Sequence, residues 1–265
     1  MIKIITSILL FTALSVHAQW NKAFVSPRSV SDLAFVNDQV AIAAGTVIYR
    51  TTDGGKNWSP MPVPNGHIEY HEFSHIEILS PDNILLFGNE LYKYGQVIYR
   101  TRDTCKTFER VYGEQASGGL NAVFFSNHTN GIAAGQNGNI IKTSDGGSTW
   151  VKMADASSYY GRSNDMKFTD ANTGYIANTD GYVLKTTNGG LNWKEVLYKK
   201  GMFTSIVPLG DSIIIAAGWN FDTLRKNGGS RVMLSRNQGL TWTEIDSDMP
   251  PITTCTYDKL SGGLL

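Results

Sequence analysis

The sequence holds 265 residues, with 23 basic and 23 acidic side chains, 27 glycines and two cysteines. A net charge of zero excludes the basic footprint of a nucleic-acid binder, and two cysteines exclude a disulfide framework or a Cys-rich zinc site. At 42% hydrophobic and 17% charged, the composition is that of a globular chain with a core. Its high glycine content points to an all-β protein with many turns.

Residues 1–18 read as a signal peptide. Lys3 supplies a positive start, residues 4–16 an apolar run too short to span a bilayer, and Val16-His17-Ala18 a small-residue cleavage site before Gln19. No later apolar run reaches about 18 residues, so the mature chain is expected to be exported and to lack a transmembrane segment. The propeller reading below covers residues 19–265.

Five segments then repeat along the chain: Thr51-Thr-Asp-Gly-Gly-Lys-Asn-Trp58, Thr101-Arg-Asp-Thr-Cys-Lys-Thr-Phe108, Thr143-Ser-Asp-Gly-Gly-Ser-Thr-Trp150, Thr186-Thr-Asn-Gly-Gly-Leu-Asn-Trp193 and Ser235-Arg-Asn-Gln-Gly-Leu-Thr-Trp242. Their closing aromatics are 50, 42, 43 and 49 residues apart, the period of a four-stranded propeller blade. Before each segment lie three short apolar strands. The third ends in a base in four copies, at Arg50, Arg100, Lys142 and Lys185, and lacks it in the fifth, Val232-Met-Leu234. With a fourth strand starting at the box aromatic, each unit supplies strands A, B, C and D.

The box suits a tight C–D hairpin. An Asp or Asn (Asp53, Asp103, Asp145, Asn188, Asn237) accepts turn amides, glycine supplies positive φ, and the aromatic (Trp58, Phe108, Trp150, Trp193, Trp242) packs between sheets. The predicted fold is an all-β, antiparallel β-propeller of five four-stranded blades plus an incomplete sixth. In that sixth unit, residues 252–265 give a strand A and part of B, and residues 20–25 resemble a lone strand D. The expectation is an open ring or a truncated copy of a longer chain.

The box pattern, Ser/Thr-x-Asp-x-Gly-x-Thr-Trp, is that of the Asp-box or BNR repeats. Uninterrupted copies resemble those of the photosystem II stability/assembly factor family, and more distantly the sialidase and sortilin-type propellers. The resemblance implies a WD40/YVTN-like propeller and a binding or assembly scaffold rather than an enzyme.

Other chemistry is weighed against this register. His71-Glu72-Phe73-Ser74-His75 spells the zincin H-E-x-x-H, but zinc binding needs a helix, and the repeat places His75 at the start of a strand. No metal or cofactor is expected. The box carboxylates occur one per blade and cannot converge on a substrate. A sialidase-like exo-glycosidase, the rival reading, needs an arginine triad beside a Tyr–Glu pair, and Arg28, Arg162, Arg225 and Arg231 are the loop arginines available to it. Cys105 and Cys255 fall four blades apart and are not expected to pair.

The long insertions are residues 89–96 and 219–231 between strands B and C, and residues 60–74 and 153–163 between strands D and A. All four fall on one face. They carry His67, Tyr70, His71, Tyr92, Tyr94, Tyr159, Tyr160, Arg162, Trp219, Phe221 and Arg225, residue types enriched at recognition surfaces. That face is the candidate site for a protein or glycan partner.

Overall fold

The computed structural model describes residues 26, 28–62, 71–90, 95–115, 118–153, 161–221 and 229–245, and the backbone of 257–258 and 263–264. Five antiparallel four-stranded sheets follow one another along the chain, and each pairs its strands in sequence order. The first sheet is β1 (Val30–Phe35), β2 (Ala41–Gly45), β3 (Ile48–Thr51) and β4 (Ser59–Pro60). The second is β5 (His71–Ser80), β6 (Asn83–Glu90), β7 (Gly95–Thr101) and β8 (Glu109–Gln115). The third is β9 (Leu120–Phe125), β10 (Gly131–Gly135), β11 (Ile140–Thr143) and β12 (Val151–Lys152). The fourth is β13 (Ser163–Phe168), β14 (Gly174–Asn178), β15 (Tyr182–Thr186) and β16 (Lys194–Tyr198). The fifth is β17 (Met202–Leu209), β18 (Ile213–Trp219), β19 (Ser230–Ser235) and β20 (Thr243–Ile245). A two-stranded pair, β21 (Tyr257–Asp258) and β22 (Gly263–Leu264), follows. The sole helical element among the described residues is a 3-10 turn at Gln136–Gly138.

The first strands of successive sheets lie against one another, β1 on β5, β5 on β9, β9 on β13 and β13 on β17, so strand A is the innermost of each blade. The core is therefore divided among the joints. Ile42, Ile48, Ile76, Leu86 and Tyr99 fill the first joint, and Leu85, Phe87, Ile98, Leu120 and Ile141 the second. Ile132, Met166, Ile176 and Trp193 fill the third, and Tyr175, Phe203, Ile206 and Met233 the fourth. Each fully buried Leu, Ile or Phe stabilises by about 1.5–3 kcal/mol relative to exposure. Gly174 on strand B leaves room for the ring of its cross-strand partner Phe168 in the same sheet. A Cβ added to Gly174 would fall 2.7 Å from the Phe168 ring.

Hydrogen bonds to innermost strands join blade to blade. Asp32 Oδ2 accepts the Ile76 amide at 2.7 Å, and Asp165 Oδ2 accepts the Ile206 amide at 3.0 Å. Asp32 and Asp165 hold the same register, each one residue after a strand-A bulge and opposite an alanine of strand B. Ser74 Oγ donates to Leu120 O across the second joint, and Asn164 Nδ2 to Phe203 O across the fourth.

Candidate functional site

The boxes form as the sequence implies. Asp53 accepts Thr51 Oγ1 at 2.8 Å, the Asn57 amide at 2.9 Å and Asn57 Nδ2 at 2.7 Å. Asp103 and Asp145 repeat this with Thr107 and Thr149. The Asn57 amide and side chain, with Thr51, hold the Asp53 carboxyl at about 2. Asp103 also falls to about 2, because its hydrogen bonds with Thr107 and Thr101 outweigh the opposing effect of burial. The indole N–H groups of Trp58, Trp150 and Trp242 donate to the carbonyls of Gly55, Gly147 and Gly239. Trp193 is buried in the third joint, and Phe108 packs at the first.

The bases that end strand C have a role the sequence did not disclose. Three of the four, Arg100, Lys142 and Lys185, reach the box of the next blade. Lys142 Nζ donates to Gly189 O at 2.9 Å, and Lys185 Nζ to Gln238 O at 2.7 Å, the equivalent carbonyl one blade on. The Arg100 guanidinium donates to Ser148 Oγ of the third box. Both bases and boxes were visible in the sequence, but only the fold brings one blade's base to its neighbour's box.

Of the residues predicted for the recognition face, Tyr92, Tyr94, Tyr159, Tyr160, His67, Tyr70 and Arg225 lie outside the described residues. Four predicted residues can be placed. His71 is not a loop residue, since β5 begins there, four residues earlier than the repeat suggests, and His71 pairs with Glu90. The ring is 1% exposed, stacks on Phe73 at 5.7 Å and meets Tyr99 edge-on. An apolar slot at the first joint thus takes it out of any recognition surface. Asn89, Glu90, Gly95, Gln96, Ser230 and Arg231 likewise extend strands where insertions were expected.

The other three stand at the ends of strands, Arg162 just before β13 and Trp219 and Phe221 at and after the end of β18. Arg162 Nε donates to Asn164 Oδ1 at 3.2 Å, and Asn164 in turn holds Phe203 O. Phe203 lies opposite Gly218, and the next pair is Met202 with Trp219. Trp219 is half-buried at the end of β18, and Phe221 is 48% exposed beyond it. The Asn220 amide donates to Gly229 O, closing the base of that loop. An exposed guanidinium and two aromatics therefore stand at the same end of the fourth and fifth blades, with Trp219 on the Ile215 face of its sheet, away from the joint.

The remaining groups do not assemble an arginine triad among the described residues. Arg231 is buried in β19, paired with Glu244 at 3.1 Å, and donates to Lys200 O. Arg28 is exposed. Tyr112 donates to Glu114 at 2.6 Å, but Lys152 shares that carboxylate. Burial and the hydrogen bond to Glu114 push the Tyr112 phenol above its usual range, which keeps it protonated and a poor nucleophile.

His75 sits apart from His71, between Asp32 at 3.2 Å and Glu77 at 3.3 Å. Burial opposes its protonation, but hydrogen bonds and charge from Asp32 and Glu77 prevail and raise it to about 9. Among the described residues no group of three His, Cys, Asp or Glu is placed to hold a metal. Cys105 is a free, buried thiol, pushed by that burial to about 12. Cys255 lies outside the described residues.

Comparison with known proteins agrees with this architecture. Residues 119–249 match the family model described as Photosynthesis system II assembly factor YCF48, and residues 49–60 match the BNR/Asp-box repeat. Comparison with the curated proteins gave no match. Among solved structures, an ancestral GH74 enzyme is similar at 20% identity and a TM-score of 0.68, covering 88% of this chain and 33% of that one. YCF48 bound to D1 peptide is similar at 14% identity and 0.54, covering 81% of each chain. YCF48 from Cyanidioschyzon merolae is similar at 19% identity and 0.51, covering 78% of this chain and 68% of that one. The chain spans about a third of the GH74 enzyme's length, and identities this low speak for the fold alone. The five boxes, their sheets and the repeat match make this chain an Asp-box, or BNR-repeat, β-propeller, and about half of it is similar to the photosystem II assembly factor model.

Proposed function

We propose that this chain is an exported, non-enzymatic scaffold that binds a protein segment on the B–C/D–A face, across the ends of the fourth and fifth blades. The observation that carries this is that exposed Arg162, Trp219 and half-exposed Phe221 stand at the same end of adjacent blades. Aromatics and arginine anchor protein interfaces in this way. YCF48, a similar propeller, has been solved bound to D1 peptide, which supports a peptide as the kind of ligand this architecture accepts. Export rests on the leader-like residues 1–18.

The test is capture from the native envelope or medium by the full chain and by an Arg162→Ala/Phe221→Ala variant of unchanged melting temperature. The variant should lose a protein partner retained by the wild type. Equal capture by both would remove these blade ends from the reading.

A glycosidase is the second reading. Likeness to a GH74 enzyme favours it, as does the Tyr112–Glu114 pair. The raised phenol and the dispersed arginines weigh against it. A glycan would then be the ligand. Turnover of a fluorogenic sialoside, lost in Tyr112→Phe, would make the enzyme the better reading.

A further inference from the structure

The second, third and fourth joints close differently at the box end, where the A–B turn of one blade meets the Asp box of the next. At the second joint Asn83 Nδ2 donates to Gly146 O at 3.0 Å, beside the bond from Arg100 to Ser148. At the fourth, the Tyr175 hydroxyl and Lys185 Nζ both donate to Gln238 O, at 2.9 and 2.7 Å. Gly189 holds the box position of Gly146 and Gln238, and at the third joint Lys142 Nζ reaches its carbonyl at 2.9 Å. The second device of each neighbouring joint is lacking there. Ile132 stands where the fourth blade has Tyr175, each opposite the base of strand C. Asn130 stands where the second blade has Asn83, but its Nδ2 turns back to Asn127 and Thr129 of its own turn.

A cavity of about 280 Å³ is left between the third and fourth blades. Phe124 and Phe168, stacked at 4.3 Å, line it together with Ile132. Its polar lining includes Asn127, Asn172 and Asn188. Asn127 Oδ1 and Asn188 Oδ1 hold their own turns. Their Nδ2 groups, and the whole side-chain amide of Asn172, have no hydrogen-bond partner among the described residues. Lys142 is the one charged lining residue, and its ammonium is engaged by Gly189 O.

This lining selects by chemistry. It offers no carboxylate to a metal ion. An apolar ligand would cover three amides without pairing them. A ring with apolar C–H faces and hydroxyls at its edge suits both parts, because a hydroxyl can donate to or accept from an amide while the ring lies against the phenyl pair. The volume falls just below the roughly 300–1,000 Å³ of drug-sized sites, which fits one such ring rather than a chain.

We propose that the cavity at the third joint binds a neutral saccharide, one ring deep, on the box face and so opposite the protein-binding surface proposed above. The asparagines supply the hydrogen bonds, the phenyl pair supplies the apolar wall, and Ile132 leaves the room that Tyr175 fills one blade on.

The test is saturation-transfer NMR on the full chain with D-glucose, D-galactose, D-mannose and N-acetylglucosamine, and with D-glucuronate as the charged control. The wild type should give transfer to at least one of the four neutral sugars. Ile132→Tyr, which copies Tyr175 into the third joint, should abolish it. Asn172→Ala removes an amide that holds nothing in the fold, so it should leave the melting temperature unchanged and weaken binding about three- to tenfold. If Ile132→Tyr does not fold, Asn172→Ala carries the test alone. Three results overturn the proposal. One is no transfer to any of the four neutral sugars. Another is transfer that both variants leave unchanged, which would put the sugar elsewhere. The third is glucuronate binding tenfold or more tighter than glucose, which would make this an anion site centred on Lys142.

Discussion

The first three boxes and the last two close the same turn with different chemistry. In the first three a carboxylate accepts from both sides, with one oxygen on the Thr hydroxyl and the amide four residues on, and the other on the side chain of that later residue. In the last two an asparagine keeps the first oxygen's bonds. At Asn237 the amide nitrogen then donates to Thr241 Oγ1, reversing the direction seen at Asp145 and Thr149. The threonine hydroxyl can donate or accept, so the turn survives. The box thus specifies a hydrogen-bond pattern, and the charge is optional.

The largest effect should come from removing the acceptor altogether. Asp145→Ala leaves the Thr149 amide and the hydroxyls of Thr143 and Thr149 without their partner, and should cost about 2–3 kcal/mol. Asp145→Asn should cost under about 1 kcal/mol, because Asn237 shows that an amide can serve. Denaturant unfolding of both variants measures the difference. Equal losses would mean that charge, and not the pattern, holds the turn.

Acid should separate the two regions next. Asp53 and Asp103 are held at about 2, and Asp145 is also lowered. The unfolded value is about 3.9, so the folded state binds fewer protons in this range. The resulting stability is therefore present above about pH 4 and lost as pH falls towards 2. Asn188 and Asn237 contribute no such loss. Hydrogen exchange, corrected for its intrinsic pH dependence, should show the Asn57, Thr107 and Thr149 amides losing protection before those of Asn192 and Thr241. A simultaneous loss would indicate that the sheets unfold as one unit with the boxes as bystanders.

Strand order, blade number and box chemistry were legible because each is local and repeated five times. The His71 boundary was not, because its strand starts in a sequence with polar and apolar residues mixed and is decided by a slot beside Phe73 and Tyr99. The ties between blades were hidden for a different reason. Asp32 reaches Ile76, 44 residues on, and Lys185 reaches Gln238, 53 residues on. Such partners share no sequence neighbourhood, so the residues could be seen but not their roles. On the predicted recognition face the aromatic composition was legible, but the tie of Asn164, Arg162's partner, to Phe203 O depends on how β13 meets β17.

The smallest effect concerns the one box whose turn holds no glycine, since the fifth keeps Gly239 beside Gln238 at 58°. Where other boxes place Gly54 and Gly55 or Gly146 and Gly147 at positive φ, the second has Thr104 at 54° and Cys105 at 70°. A β-branched residue in the left-handed region is strained by about 1–2 kcal/mol. Thr104→Gly relieves this but also frees the unfolded chain, which offsets part of the gain. The net expectation is a stabilisation of about 0.5–1 kcal/mol, or roughly 1–4 °C in melting temperature. Cys105→Gly should gain less, because its side chain is buried with Ile42 and Ile84 in the first joint, and deleting it leaves a gap there. Melting curves of the two variants rank them directly. If Cys105→Gly proves the more stabilising, the strain lies at the cysteine and its packing contributes little. If both destabilise, the second turn has adapted to its side chains and no longer behaves as a drifted copy of the other four.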